Sequence, residues 1–331
     1  MKIARRSFLQ MATAAIALPS ASHKAWAQTY PNRPITLIVP FGAGGPTDVV
    51  TRIVAEHMSR TLGYPVVIEN IAGAGGTTAS IRAMRAKPDG YTIQIGHTGT
   101  HATATAFYPN LAYRPDLDFE PIGMASIGAF LISATKNFPA RDLNEFVAHA
   151  KANHSKLNMA HAGVGSTSHL TGILLNSILA LKPAMVPYNS QAAAMNAMVA
   201  GHVDYMSAAI PEVVPQLQAG TIKVFAIASP ERNPALPQIP TTREAGLPQF
   251  QTRSWSGLFA PKQTPKPIVD RLANALDQAL DDEITRKRMA GLGADVPARE
   301  QRGPAALAEL VKSEMARWVP IIRAANVTVK D

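Results

Sequence analysis

The 331-residue sequence contains no cysteine. This absence excludes disulfide bonds, thiolate nucleophiles and zinc sites with cysteine ligands, so packing alone has to stabilise the fold. The sequence also lacks a run of more than three lysine or arginine residues, and no later apolar run approaches the ~20 residues that cross a bilayer. Neither a nucleic-acid-binding stripe nor a transmembrane helix is therefore expected.

The first 27 residues have the pattern of an export signal. Arg5 and Arg6 precede a short apolar run over residues 11–18, and the segment ends in the small-residue pattern AWA. The twin arginines favour the pathway that exports folded proteins. We therefore predict a periplasmic protein that is cleaved after Ala27. Residues 1–27 hold four basic side chains and no acid, so removing them lowers the net charge from +9 to +5, which still favours an anionic solute.

The remaining chain alternates short apolar runs with segments of helical period. This alternation predicts mainly parallel sheets that are covered by helices on both faces. The predicted strands are 35–39, 65–69, 91–95, 130–135, 157–160, 184–186, 205–208, 224–228 and 257–260. The predicted helices lie near 49–62, 78–86, 142–151, 168–180, 190–200, 210–219, 267–281 and 304–324.

Two segments more than 100 residues apart share one plan. Residues 33–48 and 156–168 each contain an apolar strand, a Gly-x-Gly loop, a hydroxyl or aspartate that can cap a helix, and the start of that helix. In open parallel sheets, ligands bind where such loops lead into helices. A chain with two α/β lobes would bring the two loops to face one cleft.

Each loop can bind a carboxylate without a charged side chain. A helix N-terminus presents unpaired N–H groups and a partial positive charge, and glycines let the backbone approach an anion closely. We expect Asp48 to cap the first helix with its carboxylate turned away from the ligand. The candidates are Phe41, Gly42, Ala43, Gly44, Gly45, Thr47 and Asp48 in the first loop, and Gly165, Ser166, Thr167 and His169 in the second.

Other interpretations of the loops are open from the residues alone. Both loops can be plain turns. The first resembles the beginning of a dinucleotide-binding fingerprint, with Glu69 at the end of the next strand, but Thr47 occupies the position of its third glycine. No phosphate-binding G-x-x-x-x-G-K-[ST] motif is present, and no cofactor is predicted.

The sequence contains no recognisable signal of catalysis. It contains no G-x-S-x-G motif, and the closeness of Ser166 and His169 in sequence does not indicate a triad. His97 and His101 form H-x-x-x-H without the glutamate of zinc proteases. We therefore favour a role for these two histidines in lining a pocket over a metal site, and we predict no catalytic residue.

Several segments together resemble the Bug-type (TctC-like) receptors of tripartite tricarboxylate transporters. They begin with VPFGAGGPTD over residues 39–48 and extend over nearly the whole chain after the signal. Departures from the family pattern occur at Phe41, at residues 190–192, and at His97, Thr98 and His101. The other segments are 69–76, 87–91, 163–170, 186–188, 201–204, 240–246, Trp255 and 260–265.

The resemblance implies a type 2 periplasmic-binding-protein fold, with two doubly wound α/β lobes joined by two crossover strands around a ligand cleft. Residues 28–127 plus 254–331 would form the first lobe and residues 128–253 the second. Family ligands are typically carboxylates held by the two loops, largely through backbone groups and water. The candidate ligand-binding residues added to those of the loops are His97, Thr98, Tyr188 and Asp204.

The implied function is capture of a small carboxylate by hinge closure, for delivery to the membrane subunits of a tripartite tricarboxylate transporter. The ligand would be a dicarboxylate, a tricarboxylate or an aromatic acid. Neither catalysis nor nucleic-acid binding is expected, and the receptor would be a monomer. A ligand-loaded sensor that signals to a membrane receptor is an alternative, and an exported enzyme acting on a carboxylate is a more remote one.

Replacing Gly44 or Gly165 with a bulky residue should abolish carboxylate binding and leave the protein folded, because both loops need glycine for close backbone approach. Calorimetric titration measures the affinity, and circular dichroism checks the fold. Unchanged affinity in both variants would contradict the assignment of the two loops.

Overall fold

Two five-stranded sheets form the framework of the protein, which a computed structural model describes over residues 30–252 and 254–324. The predicted signal segment and its cleavage site lie outside these residues. The strands are β1 (Ile35–Val39), β2 (Val66–Asn70), β3 (Thr92–His97), β4 (Phe119–Gly128), β5 (Phe130–Thr135), β6 (Asn158–His161), β7 (Ala184–Pro187), β8 (Tyr205–Ala209), β9 (Ile222–Ile227) and β10 (Ser254–Pro261).

Helices cover both faces of the sheets. Asp142 caps one of them as its sequence predicts, accepting a hydrogen bond from the backbone N–H of Glu145, and Gly63 ends another in the left-handed conformation. The helices are α1 (Pro46–Leu62), α2 (Thr77–Met84), α3 (Ala104–Phe107), α4 (Leu143–Asn153), α5 (Thr167–Leu179), α6 (Gln191–Val199), α7 (Ile210–Gln218), α8 (Lys266–Asp281), α9 (Glu283–Gly291) and α10 (Gly303–Ala324).

The two sheets have the same topology. The strand order is β2-β1-β3-β10-β4 in the first and β7-β6-β8-β5-β9 in the second. In each, three parallel strands are followed by one strand that runs antiparallel to both of its neighbours. Since β1 and β6 occupy equivalent places, the two loops that share one sequence plan follow equivalent strands, at the point where the strand order reverses.

The chain passes between the sheets at two places. Only Ala129 separates β4 in the first sheet from β5 in the second, and the chain returns to the first sheet in β10. The predicted architecture, two α/β lobes joined by crossover strands, is therefore confirmed. The exact division into residues 28–127 plus 254–331 and 128–253 stays a prediction, which the membership of the strands supports.

Each sheet is buried on both faces, as the sequence pattern of its central strands requires. In β1, Leu37 packs among side chains of α1 and α8, whereas Ile38 faces a second cluster that includes residues of α2 and α10. The second sheet is likewise enclosed by two apolar clusters. Rigid sheets hold the loops at their carboxyl ends in place, which matters for the site described below.

Three elements were missing from the sequence-based prediction: the one-turn helix α3, strand β4 and helix α9. β4 contains Pro121 and Gly123, which usually interrupt strands, but it lies at the edge of its sheet, where proline is tolerated, and its pairing with β10 is irregular near Pro121. Helix α9 follows α8 after a break at Asp282, whose side chain caps α9 by accepting from the N–H of Thr285. Within the described ranges, no helix combines the length and apolarity that a bilayer crossing demands.

Replacing Phe146 with alanine should lower the free energy of unfolding by about 3–5 kcal/mol, because it leaves a cavity in the core of the second lobe. The Phe146 ring is fully buried and lies 5.0 Å from Phe225 and 5.5 Å from Tyr205, centre to centre. Urea denaturation measures the change. Leu117→Ala, at a side chain that is 52% exposed, should change stability by less than about 0.5 kcal/mol, and equal losses in both variants would contradict the described packing.

Candidate functional site

A cavity of about 80 Å³ lies between the carboxyl ends of the two sheets. The first sheet contributes the loop after β1 and the end of β3, and the second contributes the loop after β6 and the beginning of α7. The crossover segment around Ala129 and the beginning of β10 also line it. The cavity therefore lies at the topological switch point of both sheets, where α/β folds bind their ligands.

The first loop is shaped by its own backbone and by Asp48. Gly44 has φ of +84°. The N-cap of α1 is Gly45, so the prediction that Asp48 caps this helix was wrong. Asp48 lies in the first helical turn, where its carboxylate accepts hydrogen bonds from the Gly44 N–H at 2.9 Å, Arg52 at 2.9 Å and Asn70 at 2.9 Å. Its charge is thus neutralised away from the cavity.

The pKa of Asp48 reflects these contacts. Burial acts to raise it, but the hydrogen bonds from Arg52, the Gly44 N–H and Asn70 outweigh burial and lower the pKa below its usual value. The carboxylate therefore stays ionised and keeps the loop in its conformation. Asp48 supports the site and is not among the residues that line the cavity.

The second loop has the same design with different side chains. Gly163 and Gly165 have φ of +96° and +81°. Ser166 is the N-cap of α5, and its Oγ accepts from the N–H of His169 at 3.3 Å, while the Gly165 N–H donates to His169 Nδ1 at 3.2 Å. His169 therefore stabilises the loop through these two hydrogen bonds and is not part of the cavity wall.

Four backbone amides are positioned for an anion. In α1, Val49 donates the first intrahelical hydrogen bond, to Gly45, so the amides of Thr47 and Asp48 precede it. In α5, the corresponding amides are those of Thr167 and Ser168. Thr47, Thr167 and Ser168 line the cavity. Two helix N-termini with partial positive charge thus face the same small space.

His97 connects the two lobes at this cavity. Its Nδ1 accepts the N–H of Gly99 at 3.0 Å and lies 3.1 Å from Thr167 Oγ1 on the opposite lobe. Its ring centre is 5.0 Å from that of Phe41. Burial lowers the pKa of His97 to about 3, so the ring is neutral.

The hydrogen bond from Gly99 assigns the tautomer of His97. Because Nδ1 accepts, the proton of the neutral ring is on Nε2. In the part of the chain that the structure describes, Nε2 is buried without a hydrogen-bond partner. The ring lines the cavity, so it has an unused N–H donor to offer.

The walls of the cavity carry no formal charge. Among residues 30–252 and 254–324, no aspartate, glutamate, lysine or arginine lines it. Glu212 lies close by, beside Gly44 and Pro46 of the first loop. Burial raises its pKa well above the usual value, which favours the neutral carboxyl group beside the cavity.

The structure brings together some of the predicted site residues and separates others. Tyr188 closes the β6–β7 pairing by donating its N–H to the carbonyl of His161. Asp204 precedes β8 at the opposite end of the sheet, where its carboxylate accepts the Asn158 N–H at 2.7 Å. Phe41, Gly45, Thr47, His97, Ser166 and Thr167 line the cavity, whereas Gly42, Ala43, Gly44, Asp48, Thr98, Gly165, His169, Tyr188 and Asp204 do not.

His101 does not share the environment of His97. It is fully buried behind the first sheet, where its ring stacks on Phe259 at 3.9 Å, centre to centre. Its predicted role in lining the pocket was therefore wrong. In the described part of the chain, no group of three histidine, cysteine or acidic side chains is placed to hold a metal ion.

The sequence-based prediction missed the contribution of the crossover strands. Ser126 and Ser256 are paired neighbours on β4 and β10, and both line the cavity with Ser254, Phe130 and Gln191. No local motif marks these serines. Their role can be recognised only from the fold, because the strands that connect the two lobes form the back of the cleft.

Comparisons with known proteins agree with this geometry. The family model described as the tripartite tricarboxylate transporter family receptor matches residues 50–327. A protein of Agrobacterium vitis, described as a UPF0065 protein in the TAR-I ttuE-ttuC' intergenic region, is 37% identical over 90% of this chain and 86% of its own.

Two solved structures have the same fold. MatC (Rpa3494) from Rhodopseudomonas palustris with bound malate is 47% identical, with a TM-score of 0.86 over 88% of this chain and all of that one. The periplasmic binding protein BugD is 40% identical, with a TM-score of 0.87 over 91% of this chain and all of that one. These likenesses confirm the predicted periplasmic-binding-protein fold.

Stability should fall as the pH falls below about 6.5, because burial lowers the pKa of four histidines, the fourth being His101, and favours their neutral form in the folded protein. Burial lowers the pKa of His97 and His169 to about 3 and that of His161 to about 4. In the unfolded chain they bind protons below about pH 6.5, so each costs about 1.4 kcal/mol per pH unit between that value and its folded pKa.

Urea denaturation between pH 7.5 and 4.5 measures this dependence. The variant His97→Gln should lose stability less steeply than the wild type, by about one proton. The same slope in both proteins would contradict a buried, neutral His97.

Proposed function

This chain belongs to the tripartite tricarboxylate transporter family of receptors, and from that membership we propose that it captures a small dicarboxylate in the periplasm. The bound acid is then delivered to the membrane subunits of a tripartite tricarboxylate transporter. One observation carries the proposal: two equivalent helix N-termini, one from each sheet, border a single cavity that no charged side chain of the described residues lines. The chain works as a monomer that closes on its ligand and catalyses no reaction.

The backbone amides are the primary carboxylate ligands. Thr47 and Asp48 on one lobe and Thr167 and Ser168 on the other each offer a pair of N–H groups at a helix N-terminus. One carboxylate on each pair lets a dicarboxylate bridge the two lobes. Closure then has a differential binding energy, because only the closed state engages both ends of the ligand.

His97 adds a neutral donor to these amides. Its Nε2–H is free of protein partners in the described chain, and a hydrogen bond to a charged acceptor is worth about 1.5–3 kcal/mol. A neutral ring donates without demanding a counter-ion in the closed cavity. The ligand is thus held by fixed dipoles rather than by an arginine or a lysine.

The size and chemistry of the cavity limit the ligand. The cavity of about 80 Å³ is small, which favours a short dicarboxylate over a tricarboxylate. No acidic side chain lines the cavity in the described ranges, so the ammonium group of an amino acid would be buried unpaired. A dicarboxylate without an amino group fits best, and malate is the ligand bound in the relative MatC.

The export signal and the fold support the location and the mode of action. A twin-arginine pattern precedes the described fold, and the crossover at Ala129 provides a hinge between the lobes. Delivery follows from closure, because a membrane partner can distinguish the loaded, closed receptor from the empty, open one. Loss of malate uptake when the gene is deleted would support delivery, and undiminished uptake would contradict it.

L-malate and succinate should stabilise the protein, whereas L-aspartate and citrate should have little effect at the same concentration. A ligand at 100 times its dissociation constant adds about 2.7 kcal/mol, which raises the melting temperature by a few degrees. Thermal unfolding with each acid measures the shift, and calorimetric titration measures the affinity.

The variant His97→Phe keeps a ring beside Phe41 and removes the donor, so malate should bind at least about tenfold more weakly. His149→Phe, on α4 away from the cavity, is the matched control and should bind as the wild type does. Stabilisation by none of the dicarboxylates would contradict the proposed function. Equal stabilisation by aspartate and malate would contradict the selectivity against amino acids.

A further inference from the structure

A tyrosine of the first lobe reaches across to the anion-binding loop of the second. Tyr108 follows α3, between two strands of the first sheet, and its hydroxyl donates to the backbone carbonyl of Val164 at 2.7 Å. Val164 lies in the loop between β6 and α5, next to Gly165. Burial raises the pKa of Tyr108 to about 12, so the hydroxyl remains a donor at every physiological pH.

The same loop is in close backbone contact with two other loops of the first lobe. A Cβ at Gly75 would lie 1.9 Å from the carbonyl oxygen of Val164, and a Cβ at Gly99 would lie 2.4 Å from that of Gly165. Any side chain at either glycine would force the lobes apart. The Tyr108 ring also packs on Gly165, where a Cβ would lie 3.0 Å from its Cε2.

The position of this contact in the two sheets makes it sensitive to closure. The crossover passes from β4 to β5, whereas the loop of Gly75 follows β2, at the opposite edge of the first sheet. Val164 follows β6, which is separated from β5 by β8. Rotation about the crossover therefore moves these loops apart more than the residues near it.

We propose that Tyr108 is a closure latch: its hydroxyl holds the Gly163–Ser166 loop only in the closed state and positions that loop for the ligand without touching the ligand. The inference rests on the proposed function only in taking hinge closure as the mode of binding. Because the hydrogen bond is absent from the open state, its whole free energy shifts the equilibrium between the two states. The latch sets how much of the empty receptor is closed and how slowly the ligand leaves.

The variant Tyr108→Phe removes the hydroxyl and keeps the ring. It should weaken L-malate binding by about 2- to 12-fold, the range expected for one intramolecular hydrogen bond, mainly through faster dissociation. Tyr30→Phe is the matched control. Tyr30 is half-buried and donates to a backbone carbonyl at the same distance, 2.7 Å, but its partner Gly90 belongs to the same lobe, at the end of β3 remote from the cavity.

Closure itself is measured with spin labels, because the chain has no cysteine of its own. Val67→Cys and Val199→Cys put labels on exposed positions of different lobes. Without ligand, Tyr108→Phe should shift the distance distribution towards longer distances, whereas Tyr30→Phe should retain the wild-type distribution. A merely structural role for Tyr108 would lower the melting temperature and leave the distribution unchanged.

Wild-type affinity and distance distribution in Tyr108→Phe would overturn the latch, even if malate binding itself supports the proposed function. If the wild-type protein binds no dicarboxylate, the proposed function fails. The distances between the spin labels without ligand then still test whether Tyr108 is a latch. Longer distances in Tyr108→Phe alone would then support the latch, and identical distances in both proteins would overturn it.

Discussion

The site depends on the amides at two helix N-termini that lie beside one small cavity and have no acceptor within their own helices. A buried N–H group without an acceptor is costly, and the amides of Thr47 and Asp48 begin one helix whereas those of Thr167 and Ser168 begin the other. Each helix also brings its dipole to the same place. An anion between them would accept from these amides, which gives the lobes a physical reason to close on the carboxylate that we propose as the ligand.

Much of the surrounding structure keeps that cavity uncharged and the loops in place. Asp48 directs its carboxylate towards Arg52 and Asn70, and burial raises the pKa of Glu212 and so favours its neutral form. His97 and His169 are neutral because they are buried, and each accepts a backbone N–H of a neighbouring loop residue at Nδ1. This burial lowers the stability of the protein in acid, because these histidines bind protons more readily in the unfolded chain than in the folded one.

The duplicated topology explains how one ligand can meet two equivalent loops. The sheets share one strand order, so the loops after β1 and β6 both lie where the strand order of their sheet reverses. The contact that we propose as a latch is a departure from this symmetry. Tyr108 of the first lobe reaches the loop of the second, while Gly75 and Gly99 allow the close approach that this contact needs.

Features that depend on neighbours in the chain were predictable. The alternation of strands and helices and the glycine loops are local, because periodicity and left-handed backbone positions are properties of short segments. Ser166 could be predicted as a helix cap for the same reason. The cap at the first loop was misassigned, since both Gly45 and Asp48 suit that position and only the path of the backbone distinguishes them.

The sequence by itself determined the fold class and the two glycine loops that we propose as the anion site. The tertiary structure decided which of the candidate residues share the cavity. It placed Asp204 at the far end of a strand, buried His101 behind the sheet, and brought Ser126 and Ser256 to the back of the cleft. Contacts between lobes, such as that of Tyr108 with Val164, join residues 56 positions apart. No local pattern encodes them, because they arise only when two separately folded sheets meet.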